Sequence, residues 1–130
     1  MKSSPDLDFE FICENNRYKN AILLFHGLTG STFEMKKYAQ HLHSQGYDVF
    51  AYCLPGHGED TCQIRSVRYL DWISFASYKF KKLKKKYNNV YLGGLCLGAV
   101  LALILGQKYK SQVSGIISLS TTLYLDGWTI

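Results

Sequence analysis

Short apolar runs alternate with segments of helical periodicity along most of this chain, and this alternation restricts the possible folds more than any other feature of the sequence. Each run is apolar on both faces, which is typical of a parallel strand that is covered on both sides. The runs occupy residues 21–25, 47–53, 90–95 and 113–119. We therefore predict four buried strands.

The segments between the runs have the apolar spacing of helices. They cover residues 31–46, about 69–87 and about 98–109. Ser31 and Glu34 have the spacing of a capping box, in which each side chain satisfies a free amide of the first helical turn. The second segment has its apolar residues on one face, whereas the third is apolar all round over residues 99–105, which predicts a deeply buried helix.

Alternating strands and helices predict an α/β fold, a three-layer sandwich with a mostly parallel sheet and right-handed crossovers. A weaker alternation over residues 9–13 suggests a leading strand that pairs with the strand at residues 21–25. The length of 130 residues fits one domain. We therefore predict that residues 1–130 form a single domain.

The composition is 47% hydrophobic and 19% charged, which excludes intrinsic disorder and low-complexity classes. The net charge is +5, but six lysines between residues 79 and 86 supply this excess, and the rest of the chain carries a charge of −1. We interpret the lysines as the solvated face of the second helix and predict no nucleic-acid partner. Binding of nucleic acid or an anionic membrane surface is the alternative that the cluster leaves open.

Targeting and cofactor signals are weak. Four cysteines are too few for a disulfide scaffold, which indicates free thiols and a cytoplasmic location. No apolar core of a signal peptide follows Met1, and three glycines interrupt the uncharged stretch at residues 90–106, so we predict no stable membrane span. No residue spacing indicates a metal site or a cofactor.

The strongest chemical signal is Gly-Leu-Cys-Leu-Gly at residues 94–98. It has the pattern of a nucleophile elbow, a sharp strand-to-helix turn that needs small residues two positions before and two after the nucleophile. The turn would lift the Cys96 side chain above the sheet at a helix N-terminus, which stabilises a thiolate. The alternative is that Cys96 is a small buried apolar residue.

Two loops follow other predicted strands at the same edge of the sheet. Residues 26–30 read His-Gly-Leu-Thr-Gly, and their glycines would let the backbone aim amides at a reacting oxygen. The amides of Leu28 and Leu97 would form this pair, and each such donor typically lowers the barrier by ~3 kcal/mol. We interpret His26, and His57 in the loop at residues 54–60, as histidines that brace their loops.

These three elements, in this order, resemble the α/β-hydrolase superfamily, and most of all bacterial carboxylesterases and the monoacylglycerol-lipase group, of the serine aminopeptidase S33 type. The likeness lies in the His-Gly loop at residues 26–30, the Gly-His-Gly loop at 56–58 and the elbow at 94–98. The resemblance implies hydrolysis of small-molecule carboxylic esters, with Cys96 as nucleophile and the backbone N–H groups of Leu28 and Leu97 as oxyanion hole. It implies no cofactor.

The chain departs from this family in two respects. Cysteine replaces the usual serine at the elbow, as in dienelactone hydrolase. No histidine follows Cys96, although the family places its acid and then its histidine after the nucleophile, and Asp126 is the acid candidate left open.

We therefore expect the N-terminal portion of an incomplete α/β-hydrolase core, inactive by itself. Its last strand would have an unprotected edge, which could pair with a missing C-terminal half or with another copy. The alternative is a non-catalytic, hydrolase-like remnant that acts as a binding module.

Overall fold

The computed structural model describes residues 7–58 and 61–123, which form five strands and three α-helices. In chain order they are β1 (Phe9–Phe11), β2 (Asn20–Phe25), α1 (Lys36–Ser44), β3 (Asp48–Ala51), α2 (Tyr69–Lys84), β4 (Asn89–Leu95), α3 (Leu97–Tyr109) and β5 (Gly115–Leu119). All four predicted strands are present, each within two residues of its expected start. The last of them is not buried, since every residue of β5 is partly or fully exposed, so this part of the prediction is wrong.

The strands form one sheet in the order β1-β3-β2-β4-β5. The central strand β2 is parallel to both of its neighbours, and Leu23 lies opposite Phe50 of β3 and Leu92 of β4. The leading strand β1 pairs antiparallel with β3 instead. The predicted pairing of residues 9–13 with residues 21–25 is therefore wrong, because parallel strands already occupy both edges of β2.

Two apolar cores lie on opposite faces of the sheet, and β2 alternates between them. Ala21, Leu23 and Phe25 pack against the layer of α2 and α3. Ile22 and Leu24 pack against the layer of α1. All five side chains are at most 2% exposed. The predicted α/β sandwich with a mostly parallel sheet is confirmed.

The segment before α1 begins as predicted but is stabilised differently. The Ser31 hydroxyl accepts a hydrogen bond from the Phe33 N–H at 3.3 Å, and a 3-10 turn over Thr32–Met35 precedes the α-helix. The Glu34 carboxylate does not complete the capping box. It accepts a hydrogen bond from the Gly27 N–H instead, because the preceding loop folds back against the carboxylate.

Helices α2 and α3 cover one face of the sheet. Ala76, Phe80 and Leu83 of α2 are buried as the apolar stripe predicts, although the helix ends at Lys84 rather than near residue 87. Leu103 of α3 is 38% exposed, so the helix is less deeply buried than its apolar sequence predicts. The sheet and α2 cover only part of its circumference.

The lysine cluster lies on α2 and just after it. Lys81, Lys82, Lys85 and Lys86 are exposed, in agreement with a solvated helix face. Lys79 is half-buried, and its ammonium group lies 4.1 Å from the centre of the Tyr52 ring. Lys79 therefore differs from the exposed lysines, because its charge makes a cation–π interaction with Tyr52.

The sheet of the described residues ends at β1 on one side and at β5 on the other. Ile116 and Leu119 of β5 are 38% and 37% exposed. No helix in residues 7–58 and 61–123 has both the length and the apolar character needed to cross a membrane. The uncharged stretch at residues 90–106 is divided into β4 and α3 at Cys96.

Candidate active site

Cys96 lies on the sharp turn between β4 and α3. Its backbone has φ 55° and ψ −112°, in the positive-φ region that residues other than glycine rarely adopt. Such a conformation costs about 1–3 kcal/mol and persists only where the surroundings enforce it. Here the Cys96 N–H donates to the Leu119 carbonyl at 2.9 Å, and the Cys96 carbonyl accepts from the N–H groups of Ala99 and Val100.

The glycines on both sides of Cys96 are required by close backbone packing. A Cβ atom on Gly94 would lie 2.1 Å from the Gly98 carbonyl group. A Cβ atom on Gly98 would lie 2.1 Å from the Phe25 carbonyl oxygen at the end of β2. No side chain fits at either position, which is the steric demand that the sequence predicts for an elbow.

The Cys96 side chain is partly exposed and lies beside two loops. Its Sγ atom is 3.5 Å from the Thr122 hydroxyl, in the segment that follows β5. The loop after β2 approaches from the other side, since a Cβ atom on Gly27 would lie 3.7 Å from the Cys96 Cβ. The sulfur is therefore outside the regular helix and next to the loop that contains residue 28.

The loop at residues 26–30 is a tight turn. The Gly30 N–H donates to the Gly27 carbonyl at 3.1 Å, and Thr29 has φ 62°. Within the described part of the chain, neither the Leu28 N–H nor the Leu97 N–H has a hydrogen-bond acceptor. These are the two amides that the elbow pattern predicts as donors to a reacting oxygen.

His26 fixes the direction of one of these donors. The Leu54 N–H donates to His26 Nε2 at 2.9 Å, so Nδ1 carries the proton and donates to the Gly27 carbonyl at 2.8 Å. The Gly27 carbonyl and the Leu28 N–H belong to one planar trans peptide and point in opposite directions. The imidazole thereby orients the Leu28 amide, in agreement with its predicted bracing role.

His26 is neutral in this arrangement. It is 1% exposed, and burial lowers its pKa from 6.5 to about 4, although its hydrogen bond to the Gly27 carbonyl opposes this shift. Protonation of Nε2 would remove the acceptor that the buried Leu54 N–H needs. A general-base role at Cys96 is not what this geometry provides, because both ring nitrogens have backbone partners.

His57 joins the second loop to α2. Its ring centre lies 5.0 Å from that of His26 and 5.5 Å from that of Trp72, and the Trp72 Nε1–H donates to the Pro55 carbonyl at 2.8 Å. Burial lowers the pKa of His57, whereas its hydrogen bond to the Pro55 carbonyl and then the Glu34 carboxylate oppose that shift. The two histidines and Trp72 thus form a row of edge-to-face ring contacts that links the loops after β2 and β3 to α2.

Sequence reasoning missed Glu34 and Thr122 as residues of this site. Thr122 could have been found, because it follows β5 and the carboxyl ends of parallel strands meet at one edge of the sheet. Glu34 had no such signal, since its spacing from Ser31 indicates a helix cap. Asp126, the acid candidate, lies outside the described residues.

Two curated proteins of known activity are similar to this chain. A carboxylesterase of Bacillus subtilis (strain 168) is 29% identical over 106 residues, which are 81% of this chain and 42% of the esterase. A thermostable monoacylglycerol lipase of Bacillus sp. (strain H-257) is 26% identical over 102 residues, which are 78% and 40% of the two chains. The chain spans about two fifths of the length of these relatives.

Solved structures and a family model complete the comparison. One of the metagenome-derived lipolytic enzymes LipS and LipT superposes with a TM-score of 0.83 at 21% identity, over 92% of this chain and 47% of the other. A monoacylglycerol lipase of Paleococcus ferrophilus gives 0.74 at 17% identity, over 95% and 45%. These structures share the fold. Since the model of the α/β hydrolase fold family also matches residues 20–129, the chain belongs to the α/β hydrolase family.

Proposed function

We propose that this chain carries the nucleophile and the oxyanion-binding half of an esterase- or lipase-type hydrolase of small carboxylic esters. The observation that supports this most directly is the elbow, where Cys96 at φ 55° holds its sulfur beside the loop of residues 26–30. The family and its ester-hydrolysing relatives support the substrate class.

In the proposed reaction, the Cys96 thiolate attacks the ester carbonyl carbon and forms a carbon–sulfur bond. The carbonyl oxygen becomes an oxyanion that accepts hydrogen bonds from the Leu28 and Leu97 amides. Collapse of this intermediate breaks the ester carbon–oxygen bond, and the leaving alkoxide takes up a proton to become the alcohol. Water then hydrolyses the thioester and releases the acid. Because His26 and His57 are buried in loop contacts, a base from outside the described residues would speed both steps.

Acylation can be tested separately from turnover. The chain is treated with p-nitrophenyl butyrate, and intact-protein mass spectrometry with peptide mapping locates the adduct. We expect one butyryl group on Cys96 and none at this position in Cys96→Ala, with Cys13→Ala as the matched control that keeps the adduct. Failure of the wild-type chain to form a Cys96 adduct while iodoacetamide alkylates the same thiol would reject the proposal.

A non-catalytic, hydrolase-like binding module is the second candidate. It is favoured by the surroundings of the sulfur, because none of the imidazoles in the described residues is hydrogen-bonded to Cys96 Sγ. This candidate predicts binding of an ester without an acyl adduct. Isothermal titration with a non-hydrolysable ether analogue of the ester, combined with the adduct experiment, separates the two candidates.

The cellular compartment and the association state of the chain are also proposals. Cys13 and Cys96 carry free thiols, which supports a reducing compartment such as the cytoplasm. Among the described residues no strand pairs with the outer edge of β5, which supports association with a further piece of sheet, either a C-terminal half or a second copy. Sedimentation velocity over a range of concentrations tests self-association, and a single monomeric species throughout would argue against it.

A further inference from the structure

The Glu34 carboxylate lies against the inside of the loop at residues 26–30, which contains Leu28. The Gly27 N–H donates a hydrogen bond to Glu34 Oε1. A Cβ atom on Gly30 would lie 2.6 Å from both carboxylate oxygens, so the loop is closed around this group at both ends. The Ser31 hydroxyl caps the turn that carries Glu34.

These contacts bear on the two peptide groups of Gly27. The carbonyl of Gly27 is held by His26 Nδ1 and by the Gly30 N–H, and the N–H of Gly27 is held by Glu34. Glycine has the freest backbone of all residues, so an unanchored Gly27 could rotate the next amide away from the site. The carboxylate removes this freedom on the N-terminal side.

The negative charge of Glu34 would not help the proposed reaction. A carboxylate near developing negative charge opposes it, so Glu34 would disfavour the oxyanion electrostatically. Glu34 is also an exposed residue, so solvent screens part of this effect. What the carboxylate supplies is a fixed hydrogen-bond acceptor, and a neutral acceptor of the same shape could supply it as well.

We infer that Glu34 is a positioning residue, which anchors Gly27 so that the Leu28 N–H points at the oxygen bound next to Cys96. The inference rests on the proposed function for its catalytic consequence. An ordinary structural role is the competing explanation, since an acidic residue in a first helical turn stabilises the helix. Glu34→Gln and Glu34→Ala distinguish the two, because only the glutamine keeps an acceptor.

The first experiment compares two reactions of the same sulfur. Acylation by p-nitrophenyl butyrate passes through an oxyanion, whereas alkylation by iodoacetamide does not. We expect Glu34→Ala to lower the acylation rate about tenfold to hundredfold with the alkylation rate unchanged, and Glu34→Gln to stay within a few-fold of wild type. The exposed Gln40→Ala on α1 is the matched control. Equal ratios of acylation to alkylation in Glu34→Ala and wild type would overturn the inference.

The second experiment does not depend on any reaction. Residual dipolar couplings report the direction of the Leu28 N–H bond, and the amide proton shift of Gly27 reports its hydrogen bond. We expect both to change in Glu34→Ala and to stay near wild type in Glu34→Gln. A Leu28 coupling that is unchanged in Glu34→Ala would overturn the inference even if the wild-type chain shows no acylation. Absence of acylation with the expected couplings would reject only the proposed function.

Discussion

The elbow and the two histidine loops lie at the same edge of the sheet, but different forces hold them. At the elbow, backbone packs on backbone, with Gly98 directly against the Phe25 carbonyl. In the loops, side chains hold the backbone, through His26 on Leu54 and Gly27 and through Trp72 on Pro55. Steric contact between main chains allows only one backbone conformation at the elbow. The polar side-chain contacts that hold the loops can be replaced by other residues or changed by protonation.

The largest expected effect breaks the elbow. Gly98→Ala places a methyl group 2.1 Å from the Phe25 oxygen, where neither backbone can retreat without disturbing the sheet. We expect the free energy of unfolding to fall by at least about 3 kcal/mol, or the chain not to fold. Urea denaturation followed by circular dichroism measures this loss.

Gly46→Ala is the matched control for that substitution. Gly46 has φ 97° but nothing within 4 Å of an added Cβ, so only backbone strain of about 1 kcal/mol is expected. Equal losses in the two variants would show that close packing at the elbow is not what fixes its shape.

The next effect concerns pH and the loops. Burial lowers the pKa of His26 from 6.5 to about 4, so the unfolded chain binds this proton more readily than the folded chain. Stability from the neutral imidazole is complete above pH 6.5 and is lost as the pH falls towards 4, by about 3 kcal/mol in total. The lowered pKa of His57 acts in the same direction, and the raised pKa of Asp8 acts in the opposite direction.

A difference between variants isolates His26. The stability of wild type minus that of His26→Gln should shrink as the pH falls from 7 to 4, measured by urea denaturation at each pH. The exposed His41→Gln on α1 serves as control and should keep the wild-type pH dependence. A pH-independent difference for His26→Gln would mean that the imidazole is not held neutral in the fold.

The smallest expected loss of stability is at Trp72, where α2 contacts the loop after β3. Trp72→Phe keeps an aromatic ring next to His57 but removes the donor to the Pro55 carbonyl, and we expect a loss of about 1 kcal/mol. Tyr69→Phe, on the exposed face of the same helix, should change little. A loss in Trp72→Phe as large as that in Gly98→Ala would remove the contrast between the two regions.

Local sequence patterns predicted most of the fold. The errors fall where a residue distant in sequence decides which strand pairs or which group is hydrogen-bonded. The strands at residues 21–25 and 90–95 were recognisable because their apolar content requires burial on both faces. The sequence predicts the wrong neighbour for the leading strand, since a short strand carries no information on which sheet edge is open. The sequence predicts a helix cap for Glu34, because its spacing from Ser31 does not reveal that the Gly27 N–H donates to its carboxylate.

The sequence by itself determined the alternation of elements and the elbow at Cys96, because glycines at fixed spacing and apolar periodicity act through neighbours along the chain. Only the tertiary structure decided which amides stay open and which side chains hold the loops around them. His26, Glu34 and Trp72 meet their partners across 28, 7 and 17 residues of chain. Such contacts depend on how strands and helices pack, and packing is a property of the whole fold.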